Sequence, residues 1–399
     1  MMATKKADRA LQDIGNRENI VYGKSHIPVQ QPQKQRLILE DIKNKVAGNV
    51  QRKPVVIKQD FIEKIPIKIQ RIPKPKPVEV KEIKNEVIAE KIYTDEMDVS
   101  EVEELAEAFS TQMLPGDVND IDAEDSENPQ LVSNYVNDIY KYLRRLEIQY
   151  PIRVNHLNKQ TEITGKMRGV LIDWLVQVHL RFQLLQETLY LTVAVLDRFL
   201  QECDVKRREL QLVGVTAMFI ASKYEEIYSP EIGDFVYITD KAYSKREILR
   251  MECIMLKKLN FSLGRPLPLH FLRRNSKAGD VDATTHTLAK YLMETTIVEY
   301  DLAHYSPSHV AAAALYLSMK LLDNSPWNKT LVYYSQYDES QLLPLVYRLS
   351  HIIHTAEKNK LQAIHSKYRS SKFLKISTIP ELKCKLVEQF AEKHKQSTN

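Results

Sequence analysis

Leu210 to Tyr224 reads Leu-Gln-Leu-Val-Gly-Val-Thr-Ala-Met-Phe-Ile-Ala-Ser-Lys-Tyr, a run that is apolar on nearly every side when wound as a helix. A helix of that kind cannot face water and has to be surrounded by others. Gly214, Ala217, Ala221 and Ser222 are small enough to let those neighbours come close. The flanking segments carry the stripes needed to surround it. In Met167 to Val178, the residues Val170, Leu171, Trp174, Leu175 and Val178 recur at helical spacings, and in Thr188 to Leu200 the residues Leu189, Thr192, Val193, Leu196 and Phe199 share a face. Lys245 to Leu259 reads as a further helix, with Glu252 set among Met251, Ile254, Met255 and Leu256.

The pattern then repeats. Ala311-Ala312-Ala313-Ala314-Leu315-Tyr316-Leu317-Ser318-Met319-Lys320 resembles Val215 to Lys223 with one residue of slippage, so each run is expected to be the centre of its own bundle. Helical runs near 282–300 and 340–360 flank the second, and Pro307 suits a first helical turn, where its missing N–H costs little. No strand-type alternation interrupts them. The expected fold is all-α: two tandem five-helix bundles, entered by a leading helix from about Leu131 to Leu146. The leading helix and first bundle are assigned to 129–262, the second bundle to 263–385, and a flexible C-terminus to 386–399.

Charge and composition divide the rest. Residues 1–92 hold only Tyr22 and Phe61 as aromatics and seven of the 17 prolines, with an excess of Lys and Arg. Such a segment buries too little apolar surface to offset its ordering entropy. Residues 93–128 contain 13 acidic side chains and no Lys or Arg, so the overall charge of +5 conceals blocks of opposite sign. A disordered tail over 1–128, basic to 92 and acidic after it, is expected. Cys203, Cys253 and Cys384 form no Cys-x-x-Cys pair, which points to a reduced compartment without structural zinc. No apolar run approaches a membrane span or a signal peptide. With ten glycines, no phosphate-cradling loop, no His-Arg-Asp and no Gly-x-Ser-x-Gly, the chain carries no recognisable catalytic constellation, and neither metal nor cofactor is expected.

Met167-Arg168-Gly169-Val170-Leu171-Ile172-Asp173-Trp174-Leu175, Ala221-Ser222-Lys223-Tyr224-Glu225-Glu226 and Arg250-Met251-Glu252 resemble, in order and spacing, the landmarks of a cyclin box. Gly264-Arg265-Pro266-Leu267-Pro268-Leu269-His270-Phe271-Leu272-Arg273-Arg274 is similar to the linker of mitotic B-type cyclins, and the resemblance covers roughly 129–385. It implies a non-catalytic regulatory subunit that binds and allosterically activates a cyclin-dependent protein kinase, directs its substrate choice at entry into mitosis, and is destroyed through ubiquitin. Lys223 and Glu252, with Tyr224, Ile220 and Phe261, would meet the kinase's movable helix. An ion pair that merely ties two helices together is the plainer reading, and both can hold. The family commonly has Phe where this chain has Tyr224.

Met167, Val170, Leu171, Trp174 and Gln177, with Leu210 and Gln211, match the patch through which cyclins dock Arg-x-Leu motifs of substrates and inhibitors; ordinary core packing is the alternative. Some cyclins carry Glu at the position of Gln177, which would pair with the incoming Arg. Arg273, His286 and Lys290 match a pocket for phosphorylated residues, against a solvated basic surface. His286 and Lys290 share a helix face at i and i+4, and an Arg fork beside two cationic donors would favour phosphate.

In the tail, Arg9, Leu11 and Asn16 resemble a destruction box read by the mitotic ubiquitin ligase, although the family's Arg stands one place earlier, at Asp8. Leu105, Phe109, Met113 and Leu114 are similar to the export and cytoplasmic-retention element, against a short helix without a partner. Cytoplasmic residence, in association with microtubules or membranes, and nuclear entry at mitosis are implied. The competing reading from another class is a tandem cyclin-fold transcription factor or nucleic-acid-binding scaffold, since a basic body would suit phosphate; no direct nucleic-acid contact is expected in the favoured one.

Overall fold

The computed structural model describes residues 116–125 and 127–398. Arg9, Leu11, Asn16, Leu105, Phe109, Met113 and Leu114 lie outside the described residues. Thirteen α-helices and several single 3₁₀ turns make up the described body. After α1 (Val136–Gln149), a first set of five comprises α2 (Gly165–Phe182), α3 (Gln186–Leu200), α4 (Leu210–Glu225), α5 (Ile232–Ile238) and α6 (Lys245–Lys258). A second set of five comprises α7 (Pro268–Ala278), α8 (Ala283–Thr295), α9 (Pro307–Leu322), α10 (Lys329–Ser335) and α11 (Glu339–Thr355). The short α12 (Ala363–Tyr368) and the terminal α13 (Lys385–Thr398) follow. The expected pair of five-helix bundles is present, and among the described residues there is no strand.

Local chemistry sets the ends. The Thr164 hydroxyl accepts the Met167 N–H to open α2, and Asp282 accepts the Thr285 N–H at 2.7 Å to open α8. Ser244 and Glu247 bond reciprocally at the start of α6, satisfying two donors that would otherwise be orphaned. Pro307 occupies the first turn of α9.

α4 and α9 are the two central helices. Leu212 to Ser222 is buried without interruption, packed by α2, α3 and α6, and α9 is enclosed in the same way by α7, α8 and α11. Gly214 is required here, because a Cβ added to it would stand 2.9 Å from the Leu171 side chain of α2.

The junction of the bundles is polar and buried. Arg168 of α2, 1% exposed, donates from Nε and Nη2 to the two carboxylate oxygens of Asp197 on α3, at 2.6 and 2.7 Å. Its third nitrogen reaches the carbonyl of Ile297, just beyond α8, at 3.0 Å, so one guanidinium joins both bundles. Asp197 also bonds His156 at 3.2 Å. Gly169 gives the approach room, since a Cβ would lie 3.0 Å from the Val298 carbonyl. A second tie runs through α12: the Ala363 N–H donates to Asp173 of α2 at 2.8 Å, and Lys367 forms a buried pair with Glu294 of α8 at 2.7 Å. Glu294 also accepts from Tyr368 and Gln186.

Two expectations at the edges are corrected, and the leading helix reaches beyond the first bundle. α1 makes polar contacts with the second bundle: Tyr140 donates to the His270 carbonyl at 2.8 Å, and Glu147 accepts both the N–H and the hydroxyl of Ser308 at the start of α9. The end of the acidic block is ordered rather than disordered. Asp122 grips Arg274 through two 2.5 Å bonds and also bonds Lys277, while the Asn119 N–H donates to Thr330. The terminal segment is not flexible: α13 lies along α11 with Val387 and Ala391 buried and the Phe390 ring tilted against that of Tyr347, their centroids 5.3 Å apart.

Burial pushes the Asp197 carboxyl up, but the charge and hydrogen bonds of Arg168 and the His156 contact outweigh it and leave it well below the ordinary carboxylate range. Its stabilising effect is therefore complete at neutral pH and declines as acid protonates the unfolded chain near pH 4. Asp197→Asn strands a buried guanidinium and is expected to cost about 3–5 kcal/mol in urea unfolding. Glu202→Gln, which opens the half-exposed pair with Arg153, is expected to cost less than about 1 kcal/mol. Equal losses in the two variants would contradict this assignment of the junction.

Candidate protein-docking surfaces

The end of α4 lies against the middle of α6, and Lys223 bonds Glu252 across them. The pair is asymmetric. The Glu252 side chain is 9% exposed, whereas that of Lys223 is 42% exposed, with its ammonium 4.2 Å from the Phe219 ring centroid. The carboxylate is a floor and the ammonium a surface group. Tyr224, next to it in sequence, and Phe261, shortly after α6, are open to solvent. Phe261 is held out by a left-handed pair, Asn260 at φ 51° and Phe261 at φ 56°, a conformation disfavoured for a bulky residue. Ile220, expected to add contact area, is instead core, 3% exposed.

Sequence reading missed Ile227 and Tyr228, each 90% exposed and adjoining the cluster. Their signal was their place between two glutamates and Pro230, in a loop too short and too polar to return them to a core. Glu226 has a structural role: it accepts from the Leu185 N–H at 2.7 Å and from the Thr188 hydroxyl at 2.5 Å, securing the start of α3.

A second surface runs along α2. Met167, Val170, Trp174 and Gln177, at spacings of three and four, are all half-buried and form one continuous strip. Leu171 and Leu210 lie in the core, 6% exposed each, as the core-packing reading has them. Gln211 is half-buried at the start of α4. The Gln177 amide donates to Asp173 at 3.3 Å, beside the bond that Asp173 accepts from α12.

The third cluster differs from expectation. Arg273 donates at 2.5 Å to Glu187 of the first bundle. Burial raises the Glu187 carboxyl, but Arg273 chiefly, with Lys290, pulls it below its usual range. His286 is buried, and its Nδ1 bonds the Ser276 hydroxyl at 2.8 Å. Burial first, then Lys290 and Arg273, push it down to about 3. The imidazole is thus neutral at pH 7, and the expectation of two cationic donors beside the Arg fork is corrected to one, Lys290. Among the described residues no group of three or more His, Cys, Asp or Glu side chains is arranged to hold a metal, and no helix is long and apolar enough to cross a membrane.

His179 on α2 has the same character, pushed down to about 3 chiefly by burial, with Lys367 adding to it. An unfolded histidine titrates near 6.5, so on acidification the unfolded chain takes up protons that the folded chain refuses. Each of these two residues should therefore remove about 1.4 kcal/mol of stability per pH unit below that value. Urea titrations at pH 7.5 and 5.5 check this: His286→Gln should flatten the dependence, and an unchanged slope would mean that the folded site accepts the proton.

Residues 138–264 match the family model described as cyclin, N-terminal domain, and residues 266–382 match that described as cyclin, C-terminal domain. The G2/mitotic-specific cyclin-B of Spisula solidissima is 63% identical over 295 residues, covering 74% of this chain and 68% of its own. The cyclin-B2 of Gallus gallus is 50% identical over 384 residues, covering 94% and 96% respectively. Among solved structures, a viral cyclin from herpesvirus saimiri aligns with a TM-score of 0.49 at 20% identity, over 54% of this chain and 94% of that one.

Proposed function

Because this chain belongs to the cyclins, and within them to the mitotic B type, we propose that it is the regulatory subunit of a cyclin-dependent protein kinase acting at entry into mitosis. The observation that carries this reading is the Lys223–Glu252 pair, its ammonium exposed, with exposed apolar side chains at Tyr224, Ile227 and Tyr228 following Lys223 and at Phe261 following α6. Aromatic groups beside a partly desolvated charge are the anchors that dominate helix-docking interfaces. Tyr224, Ile227, Tyr228 and Phe261 supply the apolar area, and the Lys223 ammonium supplies donors for backbone carbonyls at the end of a partner helix.

Mechanistically, the chain acts by differential binding. A surface held rigid from beneath favours the kinase conformation whose regulatory helix fits it, and shifts the population toward that state without adding a catalytic group. The strip Met167, Val170, Trp174 and Gln177 would take the Arg-x-Leu segments of substrates and inhibitors, with the Gln177 amide in place of a carboxylate facing the Arg. Arg273 and Lys290 would take phosphorylated residues, Arg273 exchanging Glu187 for a phosphoryl oxygen. The tail, with Arg9, Leu11 and Asn16, would hand the protein to the mitotic ubiquitin ligase, and the element at Leu105 to Leu114 would keep it cytoplasmic until mitosis.

The test adds the purified protein to a monomeric cyclin-dependent kinase and measures histone phosphorylation. The wild type should activate strongly. Lys223→Glu should abolish activation and also lower the unfolding midpoint, because it sets a second carboxylate against the nearly buried Glu252. Tyr224→Ala, at an exposed side chain, serves as the control that should weaken activation with the midpoint unchanged. Absence of a complex with any such kinase would defeat the reading. For the phosphate surface, Glu187→Gln should tighten binding of a phosphopeptide ligand several-fold by releasing Arg273. An unchanged affinity would remove Glu187 as a competitor.

A further inference from the structure

A proline biases the residue before it toward an extended conformation and removes one backbone donor, so a Ser-Pro pair in an open loop is shaped for the cleft of a kinase that requires proline after its acceptor. Ser-Pro occurs three times in the chain, at Ser229, Ser306 and Ser325, and Thr-Pro nowhere. The fold separates the three. Ser306 caps α9: its carbonyl accepts the Val310 N–H at 3.1 Å, and Pro307 and Ser308 behind it are buried. Ser325 donates its N–H to the Met319 carbonyl at 3.4 Å. Two residues on, Trp327 is buried, with its indole N–H on the Tyr337 carbonyl at 2.9 Å. Presenting either serine to an enzyme means unfolding part of the second bundle.

Ser229 needs no unfolding. It is exposed in the loop between α4 and α5, after the exposed Tyr228 and before the half-buried Pro230. The chain leaves α4 extended at Glu226, ψ 141°, and enters α5 extended at Glu231, ψ 152°. Among the described residues no backbone–backbone hydrogen bond involves Ile227, Tyr228, Ser229 or Pro230. The ends, by contrast, are fixed. Glu226 is held by the Leu185 N–H and the Thr188 hydroxyl, and the Glu231 N–H donates to Asp234 at 3.0 Å. A short extended span with an exposed hydroxyl is thus offered between two anchors.

We propose that Ser229 is a phosphorylation site for a proline-directed protein kinase, and that its phosphoryl group weakens docking of a partner kinase at Lys223, Tyr224, Ile227 and Tyr228. In the transfer the Ser229 Oγ forms the new bond to the γ-phosphorus of ATP, ADP leaves, and the hydroxyl proton passes to the catalytic base of the modifying kinase. The product carries close to two negative charges at pH 7. A phosphoryl group in an apolar interface, or beside carboxylates, opposes association through desolvation and like-charge repulsion. Both conditions hold here, because Ile227 and Tyr228 immediately precede the site and Glu225, Glu226 and Glu231 flank it. The crowding of negative charge is already felt at Glu225, whose carboxyl is raised by burial and then by Glu187 and Glu226. Phosphorylation itself depends only on the loop, whereas its effect on docking rests on the kinase-binding reading.

The test treats the full chain with a purified mitogen-activated protein kinase and ATP and maps the phosphate by mass spectrometry. The treated chain is then titrated calorimetrically into a monomeric cyclin-dependent kinase. Ser229 should be phosphorylated, Ser306 and Ser325 should stay unmodified, and Ser229→Ala should lose that phosphate. The phosphorylated wild type should bind the cyclin-dependent kinase about tenfold or more weakly than the untreated chain, whereas treated Ser229→Ala should bind as the untreated chain does. No phosphate at Ser229, or an equal yield at Ser306 or Ser325, would overturn the site. Phosphate at Ser229 with unchanged affinity would overturn its effect on docking. Failure of the untreated chain to bind would instead defeat the kinase-binding reading, and the phosphate map, read first, keeps the two failures apart.

Discussion

Everything presented on the surface rests on the buried bond between Arg168 and Asp197. Two charges removed from water cost more than their attraction returns unless geometry is close to ideal and every remaining donor is used. Here the fork is bidentate and the third nitrogen finds the Ile297 carbonyl, so the cost is met only in one arrangement of α2, α3 and the segment after α8. An apolar contact at the same place would tolerate sliding. A guanidinium that needs three acceptors does not, and it fixes the orientation of one bundle against the other. Lys367 and Glu294, with Tyr368 and Gln186, repeat the device through α12.

That rigidity gives the exposed side chains their use. A regulatory surface shifts a partner's equilibrium only by its difference in affinity for the partner's states, and a compliant surface has little difference to offer. α4 is gripped on all sides, with Gly214 seated against Leu171, so Lys223 at its end stands on a fixed post. Phe261 is set by a left-handed backbone pair, an unfavourable conformation that persists only where the surroundings over-determine it.

The bundles were legible because their signal is collective. Leu210 to Tyr224 has no polar face, and its echo at Ala311 to Lys320 fixed the number of bundles. Individual sites were less so. Met167, Val170 and Trp174 could be placed on one face by spacing, but whether Leu171 and Leu210 line the surface or the core depends on how deeply α4 is set, which spacing does not encode. His286 and Lys290 were correctly put on one helix face, yet the charge of the imidazole depends on its burial and on neighbours distant in sequence. Asp117 to Asp125 read as part of an acidic, tail-like block because the cations that hold it, Arg274, Lys277 and Lys329, lie far along the chain. α13 was hidden similarly, since its short amphipathic run acquires a partner only once α11 is placed.

The Lys223–Glu252 pair shows why an internal and an external role need not compete. An ammonium has three N–H donors arranged around one atom, and Glu252 uses one of them. The carboxylate, almost buried, neutralises the charge from below and orients the remaining donors outward, beside the ring of Phe219. A lone lysine at this exposure would spread over many rotamers, and a partner would have to order it on binding. Tethered from beneath, it is already ordered, so the bond that closes α4 against α6 also lowers the entropy lost when another helix arrives. An interface group of this kind is conspicuous in a sequence only as a charge at the end of an apolar helix, yet its competence depends on a second residue in a different helix whose own exposure is nearly nil.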